Sequence, residues 1–213
     1  RGKVLSAYMI SQTIGIIGAQ GLLNLGDPAT SVLFIGASIL VSISFAPILP
    51  TVSRAPTTDV TRPMPLRALF SGSPLGTIGI FLLGSVYATQ SGMGAVFGTL
   101  IGMTAAEISL FIAMLFAGAL VLQYPIGWLS DGADRRLVIF AVSAIGALSC
   151  LFGWIAGGGL VPLLVAAFLA GGMTTPLYAL FLAHTNDFLS AEDMPAASGG
   201  LVFTFGLGAI IGP

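Results

Sequence analysis

Seven stretches of roughly twenty residues, at about 4–24, 30–50, 75–98, 106–128, 137–157, 161–183 and 197–213, contain no Asp, Glu, Lys or Arg except Glu107 in the opening turn of the fourth. A helix of about 20 apolar residues is what a bilayer core of about 30 Å requires. Charged residues are only 7% of the 213, against about 25% in soluble domains, so the chain cannot cover a core with water-compatible surface and its main solvent must be lipid. In lipid every backbone N–H and C=O has to be satisfied internally, which leaves helices or a closed barrel. Barrel strands alternate in polarity over about ten residues, and these runs do not. The expected fold class is an all-α membrane protein, a polytopic bundle of transmembrane helices. The 29 glycines fit helices that approach one another closely.

Other classes are excluded by what the chain lacks. Its one cysteine, Cys150, has no partner for a disulfide and reads as a small packing residue. There is no cluster with metal-ligand spacing, and no metal or cofactor is expected. A net charge of −1 without a basic patch gives no footprint for nucleic acid. The chain opens on Arg1 without a signal peptide and stops at Pro213 within an apolar run, so it is expected to be a fragment.

The cations fix an orientation. Arg1 and Lys3, then Arg54, Arg62 and Arg67, then Arg135 and Arg136 all fall on one side when the spans are threaded in order, which makes that side cytoplasmic. The polar segment 51–73 carries Asp59, Pro56, Pro63 and Pro65, with Pro74 just after it, and reads as a flexible linker between two bundles. Asp27-Pro28 and Ser190-Ala191-Glu192-Asp193 read as helix starts, and Thr104 with Glu107 as a capping box. Gly157-Gly158-Gly159 reads as a tight turn closing the fifth span.

At the end of the fourth span the chain reads Gly127-Trp128-Leu129-Ser130-Asp131-Gly132-Ala133-Asp134-Arg135-Arg136. This resembles the loop motif of the major facilitator superfamily, which joins the second and third helices of each six-helix half. Gln123-Tyr124-Pro125-Ile126 before the motif, the opening Arg1-Gly2-Lys3 with Gly15, Gly18 and Gln20, and the closing Gly206 to Pro213 extend the likeness over the whole chain, towards the YcaD-type branch of facilitators. The resemblance implies that residues 1–50 are the last two helices of the N-terminal bundle, 51–73 the cytoplasmic central linker, and 74–213 helices seven to eleven of the C-terminal bundle, the last truncated. It implies a partial facilitator fold, multi-pass in a bacterial inner membrane, that acts as a monomer on a small solute by alternating access. Gly127, Asp131, Asp134, Arg135 and Arg136 would form the cytoplasmic gate. Asp131 is implied to face a neighbouring helix N-terminus and a cation, with Arg135 and Arg136 on partner helices or lipid phosphates. Gly132 stands where the motif has a basic residue and Asp134 where it has a second glycine, so Asp134 offers a second acceptor to Arg135 or Arg136.

Transporter sites lie near the bilayer midplane and are built from polar groups. With no charge at that depth, the candidates for the substrate cavity are Gln20, Asn24, Tyr87, Gln90, Thr175 and Tyr178, with Thr174 beside them. Tyr87 and Gln90 stand three apart on one helix face and lead this set. Gln123 and Tyr124 read as gate or packing residues, and Gly171 to Pro176 as a kink or a close helix contact. His184 reads as a solvated helix end beside Asn186 and Asp187. An uncharged lining points to a neutral or weakly polar solute, and any proton carrier would have to lie outside these helices. Catalytic motifs at membrane depth are missing, so no enzyme is expected. A seven-helix receptor or a channel is the alternative: a retinal protein would need a lysine in its last span, whereas the one lysine is Lys3, and acidic filter rings are not seen.

Overall fold

The computed structural model describes residues 2–27, 30–46, 64–156, 159–190 and 192–213, and for residues 2–10 the backbone alone. Helix α1 spans Gly2–Leu22 and passes into a 3-10 turn, Leu23–Leu25. Helix α2 covers Val32–Ser44 and a short α3 covers Leu66–Gly72. Five long helices follow: α4 Pro74–Leu100, α5 Ala105–Gly132, α6 Arg135–Ile155, α7 Leu160–Asn186 and α8 Met194–Ile211. No strand occurs among the described residues. Of the seven expected spans, α4 to α8 are long and apolar enough to cross a membrane within the described residues. Pro28, Gly157, Gly158, Ala191 and residues 47–63, which hold much of the expected linker, lie outside them.

Local chemistry sets the helix starts. The Thr104 hydroxyl accepts the Glu107 N–H at 3.3 Å while Glu107 Oε2 accepts the Thr104 N–H at 2.7 Å, the reciprocal box expected there. Ser73 Oγ accepts the Gly76 N–H at 3.3 Å, with Pro74 as the first helical residue of α4. At α6 the Asp134 carboxylate accepts the Arg136 N–H at 2.9 Å, so this departure from the loop motif works as an N-cap. Helix α8 begins at Met194 after Asp193, whose carboxylate accepts the Ser190 hydroxyl at 2.8 Å and caps no backbone N–H.

Packing is set by glycines. Helix–helix association in lipid gains little from hiding apolar groups and depends on close contact. A methyl group built on Gly118 of α5 would strike the Phe168 carbonyl of α7, and one on Gly171 of α7 would strike the Leu115 carbonyl of α5. The α4–α8 seam repeats this, Gly84 against the Phe205 carbonyl and Gly208 against that of Phe81. Ser85 Oγ donates to the Gly208 carbonyl at 2.8 Å across the same seam. Half of the most apolar stretch of α7 is buried, against 22% in each of the other four spans, which makes α7 the centre of the bundle. It runs as one helix through Gly171 to Pro176, so that segment serves as a close contact with α5.

The segment read as linker is partly built into the bundle. Leu69 of α3 is 1% exposed and abuts Gly200 of α8, and the Thr185 hydroxyl of α7 and that of Ser73 meet at 3.4 Å where α3 meets α4. The starts of α4, α6 and α8 and the ends of α5 and α7 therefore share one end of the bundle, with Arg135 and Arg136. His184 departs from expectation here. It is 5% exposed, its ring meeting that of Phe188 edge-on at 5.1 Å, with the Arg136 guanidinium 5.9 Å from the Phe188 ring centre. Ser73 packed on Thr185, with Phe188 and Arg136 on the other side, closes around this turn.

The Arg135 guanidinium pairs with Asp187 at the end of α7 and its Nε donates to Ser130 Oγ at 3.3 Å. Asp131 is exposed and makes no hydrogen bond among the described residues. Asp134→Ala is expected to cost about 1 kcal/mol through the lost cap, Asp187→Asn no more than about 1 kcal/mol because Asp187 is 52% exposed, and Asp131→Asn less than about 0.5 kcal/mol. Thermal melts of detergent-solubilised protein at low and high salt check this, since the Asp187 effect should shrink with salt. In the same assay Gly118→Val is expected to lose roughly 1–3 kcal/mol by overpacking. Gly92→Ala, where a methyl group meets nothing within 4 Å, should be neutral or stabilising by up to about 1 kcal/mol.

Candidate functional site

Four of the six cavity candidates come together. Gln20 from α1, Tyr87 and Gln90 from α4 and Thr175 from α7 line one cavity of about 240 Å³. Ser91 adds a hydroxyl, Ile16, Ile112 and Phe116 supply apolar wall, and Leu115 with Gly171 brings the α5–α7 seam to its surface. Tyr87 and Gln90 share this wall because they stand one turn apart on α4. Among the described residues, no Asp, Glu, Lys, Arg or His lines the cavity.

The other two candidates lie outside it. The Asn24 amide donates to the Gln20 backbone carbonyl at 3.4 Å, on an exposed helix end. Tyr178 meets Phe205 edge-on at 5.7 Å, and Phe205 packs on Tyr87, also at 5.7 Å, so Tyr178 buttresses the cavity wall from behind. Tyr124, read as a gate or packing residue, is 80% exposed on α5. The residues expected to form the gate, Gly127, Asp131, Asp134, Arg135 and Arg136, sit at the cationic end, away from the cavity lining.

Hydrogen bonding divides the polar groups into used and free. Gln90 Nε2 donates to Thr174 Oγ1 at 3.1 Å, and the Thr174 hydroxyl donates to the Ala170 carbonyl at 2.8 Å, which ties α4 to α7. Thr174 does not serve the Gly172 carbonyl, the one that Pro176 leaves without its helical donor. The hydroxyls of Tyr87, Ser91 and Thr175 make no hydrogen bond among the described residues. Gln20 Oε1 is buried and has no donor there.

Two further recesses, of about 470 and 340 Å³, lie between α4, α6 and α7 and share Gln90, Cys150 and Ala170. Gln90 thus stands at the boundary between these apolar recesses and the polar cavity. Sequence reasoning missed Ser91, Ile16 and Phe116. The signal for Ser91 was its place directly after Gln90, and the apolar pair carries none that separates it from lipid-facing neighbours.

Comparison with known proteins agrees with this architecture. An uncharacterized MFS-type transporter of Yersinia enterocolitica is 27% identical over 218 residues, covering 100% of this chain and 55% of its own length. The uncharacterized MFS-type transporter YcaD of Escherichia fergusonii is 26% identical over 226 residues and YfkF of Bacillus subtilis 24% over 221, each again over all of this chain. The chain thus spans about 55% of the length of these relatives. No solved structure matches it. Residues 75–213 match the sequence profile of the Major Facilitator Superfamily, and with the apolar bundle of α4 to α8 around them, the chain belongs to that family of integral, multi-pass membrane transporters.

Proposed function

We propose that the chain supplies one wall of a carrier that moves a small solute across the bacterial inner membrane by alternating access. In this reading residues 1–50 belong to one bundle, 74–213 to the other, and 51–73 joins them on the cytoplasmic side. The observation that supports it is the cavity itself: Gln20 comes from α1, before the joining segment, and Tyr87, Gln90 and Thr175 come from helices after it. A solute site shared by two bundles is what rocking about a fixed centre requires. The protein acts as a monomer, and a cavity lining without charged side chains among the described residues favours facilitated movement of an uncharged solute over coupling through these helices.

The test needs no known substrate. Thiols react as thiolates, which form in water and not in lipid. In a Cys150→Ser background of the full-length protein, Thr175→Cys and Gln20→Cys are expected to react with a membrane-impermeant thiol reagent from one face. Phe140→Cys, on a side chain that is 72% exposed on the apolar surface of α6, is expected to stay unreactive. Equal, negligible labelling at Thr175 and Phe140 would remove the water-filled pathway and with it the carrier reading.

A further inference from the structure

We infer that Gln90 is a specificity-determining residue of the cavity: held by Thr174, its side chain closes the polar space against the apolar recesses and shuts out solutes with an apolar arm. This rests on the carrier reading above and narrows its substrate class to compact polar solutes. Gln90 is the one residue common to the linings of all three spaces, while Leu115 is shared between the polar cavity and the larger recess alone. On α7 the division falls between chain neighbours, since Thr175 lines the polar cavity and Thr174 the smaller recess. Behind the division the walls are apolar, with Met93, Phe97, Phe111 and Trp154 in the larger recess and Leu82 and Phe181 in the smaller.

The anchoring of Gln90 has only one sense. The buried Thr174 hydroxyl gives its hydrogen to the Ala170 carbonyl at 2.8 Å, so towards α4 its oxygen can only accept. The Gln90 side chain must therefore turn its amide nitrogen to Thr174, at 3.1 Å, and is not free to flip. An amide at the edge of an apolar space is tolerable only while it is bonded. Swinging the side chain aside to admit an apolar arm would break that bond and leave the amide without a partner. A compact solute that stays within the cavity of about 240 Å³ demands no such movement. Size decides what is at stake: the larger recess, at about 470 Å³, lies within the range of about 300–1,000 Å³ typical of ligand sites, and the polar cavity lies below it. With Gln90 in place the site is small and polar, and without it the polar cavity runs into an apolar space large enough for an aromatic ring.

The experiment uses full-length protein in proteoliposomes, with Cys150→Ser and Thr175→Cys as the reporter thiol. Two reagents of equal charge and equal reactive group are compared, trimethylammonioethyl methanethiosulfonate and its analogue with a benzyl group in place of one methyl. The ratio of their labelling rates cancels any change in water access to the thiol. With Gln90 in place the smaller reagent is expected to react about tenfold faster or more. Gln90→Ala should erase this preference, a change of roughly tenfold, which is what one hydrogen bond of this kind is worth. Thr174→Val keeps the bulk of both side chains but removes the acceptor, and should reduce the preference in the same direction. Thr174→Ser restores the hydroxyl and should restore the preference. If a thermal melt shows that Gln90→Ala does not fold, the two Thr174 variants decide. A preference unchanged in Thr174→Val and in folded Gln90→Ala overturns the inference and leaves the carrier reading standing. So do equal changes in rate for both reagents, the result expected of a bond that only holds helices together. A Thr175→Cys thiol that reacts with neither reagent overturns the carrier reading, and this inference with it.

Discussion

The bundle depends on backbone meeting backbone at glycine. Phe168 and Leu115 present carbonyls to Gly118 and Gly171, and Phe81 and Phe205 do the same to Gly208 and Gly84. In water a bulkier seam could be offset by hiding more apolar surface, but lipid offers no such drive, so separation of the helices forfeits contact energy that nothing replaces. The α5–α7 seam also reaches the cavity, since Leu115 and Gly171 are both part of its lining. Where the seam is tight the cavity has a floor. The site is therefore a consequence of how the helices pack and does not need a loop to build it.

The same packing explains why polar side chains can be tolerated throughout the spans and yet matter in one place. A Ser or Thr hydroxyl that bonds the carbonyl four residues back adds no unmet need to the membrane interior. Thr89 does this two positions from Ser91, and Thr174 does it next to Thr175. Neighbours on one helix thus differ in whether their hydroxyl is spent at home. The Gln90 amide is spent across the bundle on Thr174, which fixes the cavity wall and separates it from the apolar recesses beside Cys150.

Much of this was legible in the sequence because it rests on local rules. Runs without charge mark the helices, Thr104 and Glu107 mark a cap, and the three-residue spacing of Tyr87 and Gln90 marks a shared face. What was not legible depends on contacts far apart in the chain. Gly118 and Gly92 look alike in sequence, and only the position of α7 makes one indispensable and the other idle. The prolines and cations of 51–73 hid α3, although Leu66, Leu69 and Phe70 had the spacing of one helical face. His184 looked solvated beside Asn186 and Asp187, because the docking of Ser73 on Thr185 that closes over the end of α7 joins residues more than a hundred positions apart. Asn24 was chosen for its chemistry, but its amide is directed back to its own helix.

A further consequence concerns the charged end. A contact that opens and closes during alternating access has to bridge the two moving bundles. The Arg135 to Asp187 pair joins the start of α6 to the end of α7, both after residue 74, so under the two-bundle reading it stays closed throughout the cycle and serves to hold α6 on α7. Asp134 is likewise committed, to the N-terminus of its own helix. Asp131, by contrast, is exposed and makes no hydrogen bond among the described residues. Of the two residues that set this loop apart from the family pattern, Asp134 therefore has a definite task, the cap of α6, while Arg135, which keeps to the pattern, fastens α6 to α7.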